Sequence, residues 1–291
     1  MATTPTANEQ WQYGLYYVTF ARRNSSGYPV GLAADPENLT ADTIYHAFRS
    51  NKPIEVTFPQ ETYETATERS GMATRGQADL GVADWGTGTL VLSRFMETLN
   101  AQFTQSTADT TSTTNWLQVA RNILQTDLSN WFIMFTSRSQ DTSGNSWYNH
   151  WVFPNVQIRR PQTSLNQSGG QNPQTFTHEF VPTLSDRALT GELFSGMSMT
   201  QVDDKDTQYY IRTQYPLHIT TWIADGTETT FETQYVPVST AVDQSDHAFT
   251  KNGTTTNPSS LVVATGQVTV AAAGSSGDVH IAVYQDTNVA V

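Results

Sequence analysis

The sequence predicts a mainly β protein with one or two helices, an α+β class. Charged residues are scarce at 14%, while aromatic residues reach 11%. This composition is typical of a packed β-rich chain and not of a disordered one. Runs of aromatic and β-branched residues recur between Gly, Pro, Asn and Asp turns, which favours strands. The 291 residues fit one large β domain or two smaller ones.

The first part of the chain predicts an arm, a strand and a hairpin. Residues 1–10 are polar and predict a flexible arm. Residues 11–23 predict the first strand, because aromatic and β-branched side chains alternate there. Residues 53–85 begin as a strand, continue with acidic residues and are interrupted by glycines. We expect a long, exposed hairpin or arm over this range.

Three stretches carry helical spacing. Residues 35–51 predict a short helix from apolar residues three and four apart. Residues 92–103 and 116–128 each place apolar residues on one helical face, which predicts two further helices. Asn115 is the expected N-cap of the last one.

Residues 131–194 predict four β segments around one long polar loop. In chain order, the segments are 131–135, 147–158, 175–181 and 187–194. The loop at 162–174 joins the second segment to the third. Loops this long are usually functional or disordered. Because this one holds no acid, base or nucleophile cluster, binding or assembly is its natural use, and a plain surface loop stays the alternative.

The C-terminal part predicts further strands. Asp225-Gly226 is a strong hairpin signal after a strand-like stretch at 208–224. The last two strands, 261–272 and 278–285, flank a glycine-rich turn and predict an extra C-terminal β-hairpin. A lone hairpin is marginal in water, so this one must pack on the main domain or on a neighbouring subunit. The expected division is a β domain over 1–240 and a C-terminal β extension over 241–291.

Charge and composition exclude several classes of function. The net charge is −12 and the chain has three lysines, so a basic footprint for nucleic acid is absent. An acidic surface would repel phosphate, although simple solubility is the plainer reading. The absence of cysteine removes disulfides and thiolate chemistry. No run approaches the roughly 18 apolar residues of a membrane span, so we expect no membrane contact and a cytosol-like location.

No pattern in the sequence predicts catalysis. The six histidines are scattered without zinc-ligand spacing, so no metal site is expected. The acidic residues at 203–206 lack the pattern of a calcium loop and read better as a solvated turn. Ser198 does not complete a nucleophile motif, because Thr200 stands where the second glycine belongs. A carboxylate pair for glycoside hydrolysis leaves no signature in a sequence. We expect neither an enzyme nor a cofactor.

The layout of the chain resembles the major tail proteins, or tail tube proteins, of long-tailed bacteriophages. The resemblance is carried by the segment 151–158 (WVFPNVQI), the Gly169-Gly170 loop and the segment 175–182 (TFTHEFVP). It covers roughly residues 10–200 and is one of layout, not of a diagnostic motif. The last fifty residues depart from the minimal pattern of that family.

The resemblance implies a β-sandwich or barrel-like protomer with a flanking helix, a long arm and a long loop. Protomers would form hexameric rings that stack into a tube in the tail of the virion, assembled in the host cytoplasm. The partners would be other copies of the chain and other tail proteins. DNA would pass through the lumen without specific binding, because carboxylates repel its phosphates.

Two sets of residues follow as candidate sites. The expected acids at or near the lumen are Glu55, Glu61, Glu64, Glu68, Asp79 and Asp84. The residues of the long loop expected to contact another subunit are Gln162, Gln167, Gly169, Gly170, Gln171 and Gln174.

A second class of function stays open at this point. The protein could be a β-sandwich that binds carbohydrate or a receptor on the surface of a virion or cell. Trp147 and Trp151 are then the expected contact residues. Most aromatic residues of the chain lie within apolar strand or helix patterns, however, where packing is their commoner role.

Overall fold

A computed structural model describes thirteen ranges of the chain: 10–31, 44–48, 53–70, 73–92, 103, 107–109, 117–119, 130–159, 176–183, 193–194, 208–233, 237 and 247–286. These ranges contain strands and almost no helix, which confirms the mainly β class. The strands are β1 (Gln10–Arg23), β2 (Pro29–Val30), β3 (Tyr45–Phe48), β4 (Pro53–Thr57), β5 (Glu61–Ser70), β6 (Ala73–Trp85), β7 (Gly88–Leu92), β8 (Thr107–Asp109), β9 (Leu117–Val119), β10 (Asn130–Asp141), β11 (Ser146–Ile158), β12 (Phe176–Pro182), β13 (Tyr209–Thr213), β14 (Leu217–Ile223), β15 (Thr230–Glu232), β16 (His247–Lys251), β17 (Thr254–Thr255), β18 (Ser260–Val262), β19 (Gln267–Thr269) and β20 (Val279–Gln285).

The largest sheet is built around three long antiparallel strands. Its order is β2-β1-β10-β11-β12-β7-β4, with β3 added beside β1 and β13 added beside β11. β11 therefore has two partners along one edge. Its residues 148–152 pair with β13, and its residues 156–158 pair with β12.

The apolar run that opens β10 is buried on both faces of this sheet. Phe132 and Met134 belong to one core cluster, and Trp131, Ile133 and Phe135 belong to another. All five side chains have no exposed surface. A strand covered on both faces has no solvent-facing side, so it reads as a continuous apolar run and not as an alternation.

The large sheet curves around the second of these clusters. Phe20 of β1, Leu90 of β7 and Phe180 of β12 share that cluster, although β1 and β7 lie far apart in the strand order. Gly88 permits the close approach of β7 and β12, because a Cβ there would lie 2.4 Å from the Phe180 ring. The sheet does not close into a barrel within the part of the chain that the structure describes.

Two smaller sheets complete a sandwich-like stack. The sheet β14-β20-β16-β17 packs on the first cluster through Leu217, Ile219, Ile281 and Val283. The sheet β15-β19-β18 packs on the opposite face of this second sheet, where Leu261 and Val268 form a third core cluster with Phe249, Ala282 and Tyr284. The rings of Phe231 and Trp222 also meet between these two sheets, with centroids 5.2 Å apart. Face-to-face burial of this kind is what the sandwich prediction required.

The helix predictions are wrong wherever the structure describes enough residues to judge them. Tyr45–Phe48, within the first predicted helix, is strand β3 and pairs with β1. Leu117–Val119, within the last predicted helix, is strand β9 and pairs with β8. Pairing with a neighbouring strand has overridden a local pattern, which is a weak guide for short segments. Among the described residues, Phe103 and Leu193 have helical backbone, and residues 93–102 lie outside the described ranges.

The predicted hairpins in the C-terminal part are also wrong. β14 and β15 flank the Asp225-Gly226 turn but lie in different sheets, and so do β19 and β20. The turn chemistry itself is present, because Gly226 has φ +103° and Asp225 accepts hydrogen bonds from the backbone of Thr227 and Glu228. A turn signal fixes where the chain bends but not which strand it meets next. The last strands share sheets with β14 and β15, and the division at residue 240 stays a prediction.

Candidate assembly site

A long two-stranded ribbon stands apart from the three stacked sheets, as does the much shorter strand pair β8–β9. β5 and β6 pair antiparallel from Glu61↔Trp85 to Ser70↔Ala73, with three register shifts on the way. No other described strand pairs with either of them. At about 3.4 Å per residue, ten residues of β5 span about 34 Å. The ribbon confirms the hairpin predicted within residues 53–85.

The root of the ribbon is tied to the core. The backbone N–H of Gly86 donates to the carbonyl of Gln60 at 2.9 Å, which closes the ribbon where it joins β4 and β7. Phe58, just before the ribbon, packs against Phe135 and Trp151, with ring centroids 5.5 Å away in each case. The apolar start of the predicted arm therefore anchors the ribbon to the core.

Five of the six predicted lumen acids lie on this ribbon. Each stands opposite an uncharged residue in the backbone register: Glu61↔Trp85, Asp84↔Thr62, Glu64↔Gly81, Asp79↔Thr65 and Glu68↔Gly76. No basic residue therefore stands directly across from them. The sixth acid, Glu55, is exposed on β4 and lies opposite Val91 of β7. The structure brings five acids to one element, and their place at a lumen stays a prediction.

The long predicted loop lies outside the described residues, but its two stems are described. The stems predicted at 147–158 and 175–181 are β11 and β12, which pair with Ile158 opposite Phe180. The loop thus leaves and re-enters the sheet between adjacent strands. The candidate contact residues outside the described ranges are Gln162, Gln167, Gly169, Gly170, Gln171 and Gln174.

A second surface adjoins the root of the ribbon. We call it the aromatic–arginine surface and define it as Trp147, Trp151, Tyr210 and Arg212. Trp151 stands opposite Tyr210 across β11 and β13, and their ring centroids lie 5.5 Å apart. The guanidinium carbon of Arg212 lies 4.1 Å from the centroid of the Trp147 ring. This is a cation–π contact.

The exposed members of this surface come from β13. Burial alternates along the strand, with Tyr209, Ile211 and Thr213 buried and Tyr210 and Arg212 exposed. Tyr210 is the most exposed large apolar side chain in the described ranges, at 55%. The sequence prediction named Trp147 and Trp151 but not Tyr210 or Arg212. Period-two alternation within YYIRT is the signal that could have found them.

Buried hydrogen bonds hold the aromatic–arginine surface in place. Asn149 is fully buried beneath it, and its amide donates to Ser139 Oγ at 3.0 Å. The Tyr210 hydroxyl donates to Asn149 Oδ1 at 2.8 Å. Burial raises the pKa of Tyr210, so this hydroxyl keeps its proton at neutral pH. The surface is therefore positioned by a satisfied polar network.

Asp141 fixes the other end of this surface. Its carboxylate accepts hydrogen bonds from Asn145 and Ser143 in the tight turn after β10, and from Trp147 Nε1 at 3.1 Å. These bonds, led by the Asn145 side chain, lower the pKa of Asp141 to about 2. One face of Trp147 is occupied by Arg212 and its ring N–H by Asp141, so its ring is held in place.

The described residues offer no site for metal chemistry. Among them, no group of three or more His, Asp or Glu side chains could hold a metal ion. Burial lowers the pKa of His150 to about 3 and that of His178 to about 4, so both rings are neutral at physiological pH. The described ranges also contain no helix long and apolar enough to cross a membrane.

Comparison with known proteins gives little. No protein-family model matches the sequence. No curated protein matches it either. A chain of the anti-feeding prophage baseplate, solved by cryo-electron microscopy with 6-fold symmetry, is similar over 62% of this chain and 92% of its own. The TM-score is 0.31 at 14% identity, too low to define a fold or a function.

Proposed function

We propose that this protein is a structural virion protein that polymerises as stacked rings into a phage tail tube. The β5–β6 ribbon carries the proposal. An isolated two-stranded ribbon is marginally stable in water, so one that spans about 34 Å needs a partner surface. Within the described residues it has no strand partner. A neighbouring subunit can provide that surface.

Ring formation follows from the kind of contact that such a ribbon makes. A ribbon that docks on a different surface of the next copy makes a heterologous interface, which generates a closed ring or an open filament. Stacking of closed rings then gives a tube. The resemblance of residues 10–200 to tail tube proteins points to the same assembly, in a virion tail completed in the host cytoplasm with other tail proteins. We propose that these rings are hexameric.

The charge of the chain suits a conduit for DNA. The net charge is −12, and residues 61–85 contain five carboxylates but two arginines. A lumen lined by such a ribbon would repel phosphates and let duplex DNA slide past without specific binding. The proposed role needs no catalysis and no cofactor.

Removing the ribbon tests this proposal. Because Gln60 and Gly86 are joined by a backbone hydrogen bond, an Asn-Gly turn can replace residues 61–85 without separating β4 from β7. We expect this variant to fold with a wild-type thermal transition and to sediment as a monomer, while the full chain sediments as large assemblies. Assembly of the shortened chain at the wild-type concentration would contradict the proposal.

Carbohydrate binding is the weaker candidate. It needs open tryptophan faces, and Trp147 is covered by Arg212 while Trp151 packs against Phe58 and Tyr210. Both tryptophans are half-buried. Their contacts serve packing more than they present a platform for sugar.

A further inference from the structure

We infer that the aromatic–arginine surface is the docking site for the acidic β5–β6 ribbon of a second copy of this chain. The inference rests on the proposed function, since it names the contact through which the copies would assemble. Residue chemistry, strand position and charge support it.

The chemistry of the surface is that of a protein–protein contact. Tyr, Trp and Arg are the residue types enriched where interfaces gain most of their binding energy. Here Tyr210 and Arg212 project from one strand, and Trp147 and Trp151 support them from the next. Because Asn149 and Asp141 fix these side chains beforehand, little conformational entropy is lost when a partner binds.

The position of β13 favours a β-type partner. Among the described strands, β13 pairs with β11 and with no other, so its outer edge faces away from the sheet. Burial alternates strictly along β13, and Tyr210 and Arg212 lie on its exposed face. An added strand or ribbon can extend such an edge through backbone hydrogen bonds while its side chains meet Tyr210 and Arg212.

The positive charge of Arg212 favours the acidic ribbon as the partner of this surface. Arg212 is an exposed cation in a chain that has 15 basic and 27 acidic residues. The ribbon has a formal charge of −3, from five carboxylates and two arginines over residues 61–85. In its backbone register none of those acids stands opposite a basic residue. A ribbon has two faces, so one can meet Arg212 of the next copy while the other faces a lumen.

Among the described residues, the ribbon does not pair with β13 of its own chain. β5 and β6 pair with each other and with no other described strand, although the ribbon starts beside Phe58, which touches Trp151. The surface lies at the ribbon's own root, whereas the ribbon extends about 34 Å away from that root. Docking between copies is therefore heterologous, as ring closure requires.

Charge reversal on opposite faces of the same sheet gives a matched test. Arg212→Glu places a carboxylate in the proposed contact. The control variant Arg138→Glu makes the same charge change at another exposed arginine. Arg138 stands opposite Tyr148 of β11, whereas Arg212 stands opposite the next residue, Asn149. Because successive residues of a strand point to opposite faces, the two arginines lie on opposite faces of the sheet. We expect Arg212→Glu to raise the concentration needed for assembly about ten-fold or more, and Arg138→Glu to leave it unchanged. Equal effects of the two variants would overturn the inference. Arg212→Gln, which keeps the length of the side chain, should show an intermediate effect.

Engineered cysteines test the occupant directly, because the chain contains none. Chains carrying Tyr210→Cys together with Glu64→Cys, or with Asp79→Cys, are oxidised under assembly conditions and run on a non-reducing gel. We expect a ladder of cross-linked copies from at least one pair. A monomer cross-linked within itself, or no cross-link in chains that still assemble, would overturn the inference.

The outcomes separate this inference from the proposed function. If deletion of the ribbon abolishes assembly while Arg212→Glu and the cysteine pairs have no effect, the ribbon docks elsewhere and only the inference fails. If the full chain never assembles, the proposed function fails. Binding of a soluble polysaccharide that Tyr210→Ala abolishes, with assembly unchanged, would assign the surface to sugar and overturn the inference.

Discussion

At the scale of single residues, two buried hydrogen bonds define the protonation state of His150. His150 is fully buried between Thr136 and Thr213, with Nδ1 2.8 Å from Thr136 Oγ1 and Nε2 2.9 Å from Thr213 Oγ1. The Thr213 hydroxyl donates its proton to the carbonyl of Tyr215, so it must accept from His150. The ring is therefore the neutral Nε2–H tautomer, and Nδ1 accepts from Thr136.

This protonation state predicts how stability depends on pH. The unfolded chain protonates His150 below about pH 6.5, whereas burial lowers the pKa of the folded ring to about 3. The unfolded state thus binds more protons between these values, and the contribution of His150 to stability is lost as pH falls. The slope approaches about 1.4 kcal/mol per pH unit. His178, whose folded pKa is about 4, acts in the same direction.

Urea unfolding from pH 7 to pH 5 measures this slope. We expect His150→Gln to reduce it, because one of the titrating groups is gone. Gly88→Ala, a destabilising change elsewhere that leaves both histidines in place, should retain the wild-type slope. An unchanged slope in His150→Gln would show that the folded ring titrates normally.

At the scale of elements, the sequence predicts strands that carry a local signal, but it does not predict which strands pair over long distances along the chain. The buried strand β10, the ribbon and the stems β11 and β12 carry their own signals in apolar runs and turn residues. β3 and β9 were predicted as helices, because three or four apolar residues fit either period. Tyr210 and Arg212 could not be placed at a site, because β13 joins β11 across about sixty residues of chain and no local pattern encodes that pairing.

The contact between β7 and β12 gives a prediction on packing. Gly88→Ala should destabilise the fold by about 1–3 kcal/mol, because the added Cβ meets the Phe180 ring at 2.4 Å. In a Phe180→Leu background the same change should cost less, since the smaller side chain can move aside. Chemical denaturation of the four chains gives the coupling energy, and additive effects would contradict the clash.

The loop between β11 and β12 gives a prediction on assembly. Deleting residues 162–174 should leave the protomer folded, because the stems pair at Ile158 and Phe180 independently of it. We expect stacking of rings to be lost. Circular dichroism shows whether the shortened protomer folds, and size-exclusion chromatography shows whether it assembles. Unaltered tubes would remove the loop from the assembly contacts.

At the scale of the whole molecule, the described residues form a curved β-sheet with two smaller sheets stacked in succession on one of its faces, and an acidic ribbon that pairs with no other described strand. A stack that buries its apolar faces internally leaves edges and projecting elements for contacts between copies. The strong negative charge then has a use beyond solubility. In a tube it would keep DNA from binding to the wall.

The charge of the lumen can be tested by pelleting. Assembled wild-type protein should not carry duplex DNA into the pellet even at low salt, because the chain has a net charge of −12 and repels phosphate. Glu55→Lys changes an exposed acid on β4, outside the ribbon. If Glu55 lies at the lumen, assemblies of this variant should retain DNA at low salt and release it as salt is raised. Retention of DNA by the wild-type assembly would contradict an inert lumen.

Negative-stain electron microscopy of the purified full chain tests the central claim most directly. The account predicts rings of uniform diameter that stack into tubes with a central channel as the protein concentration rises. The same particles should be missing from the chain whose ribbon is replaced by a turn. A strictly monomeric protein at high concentration, with neither rings nor tubes, would contradict the account.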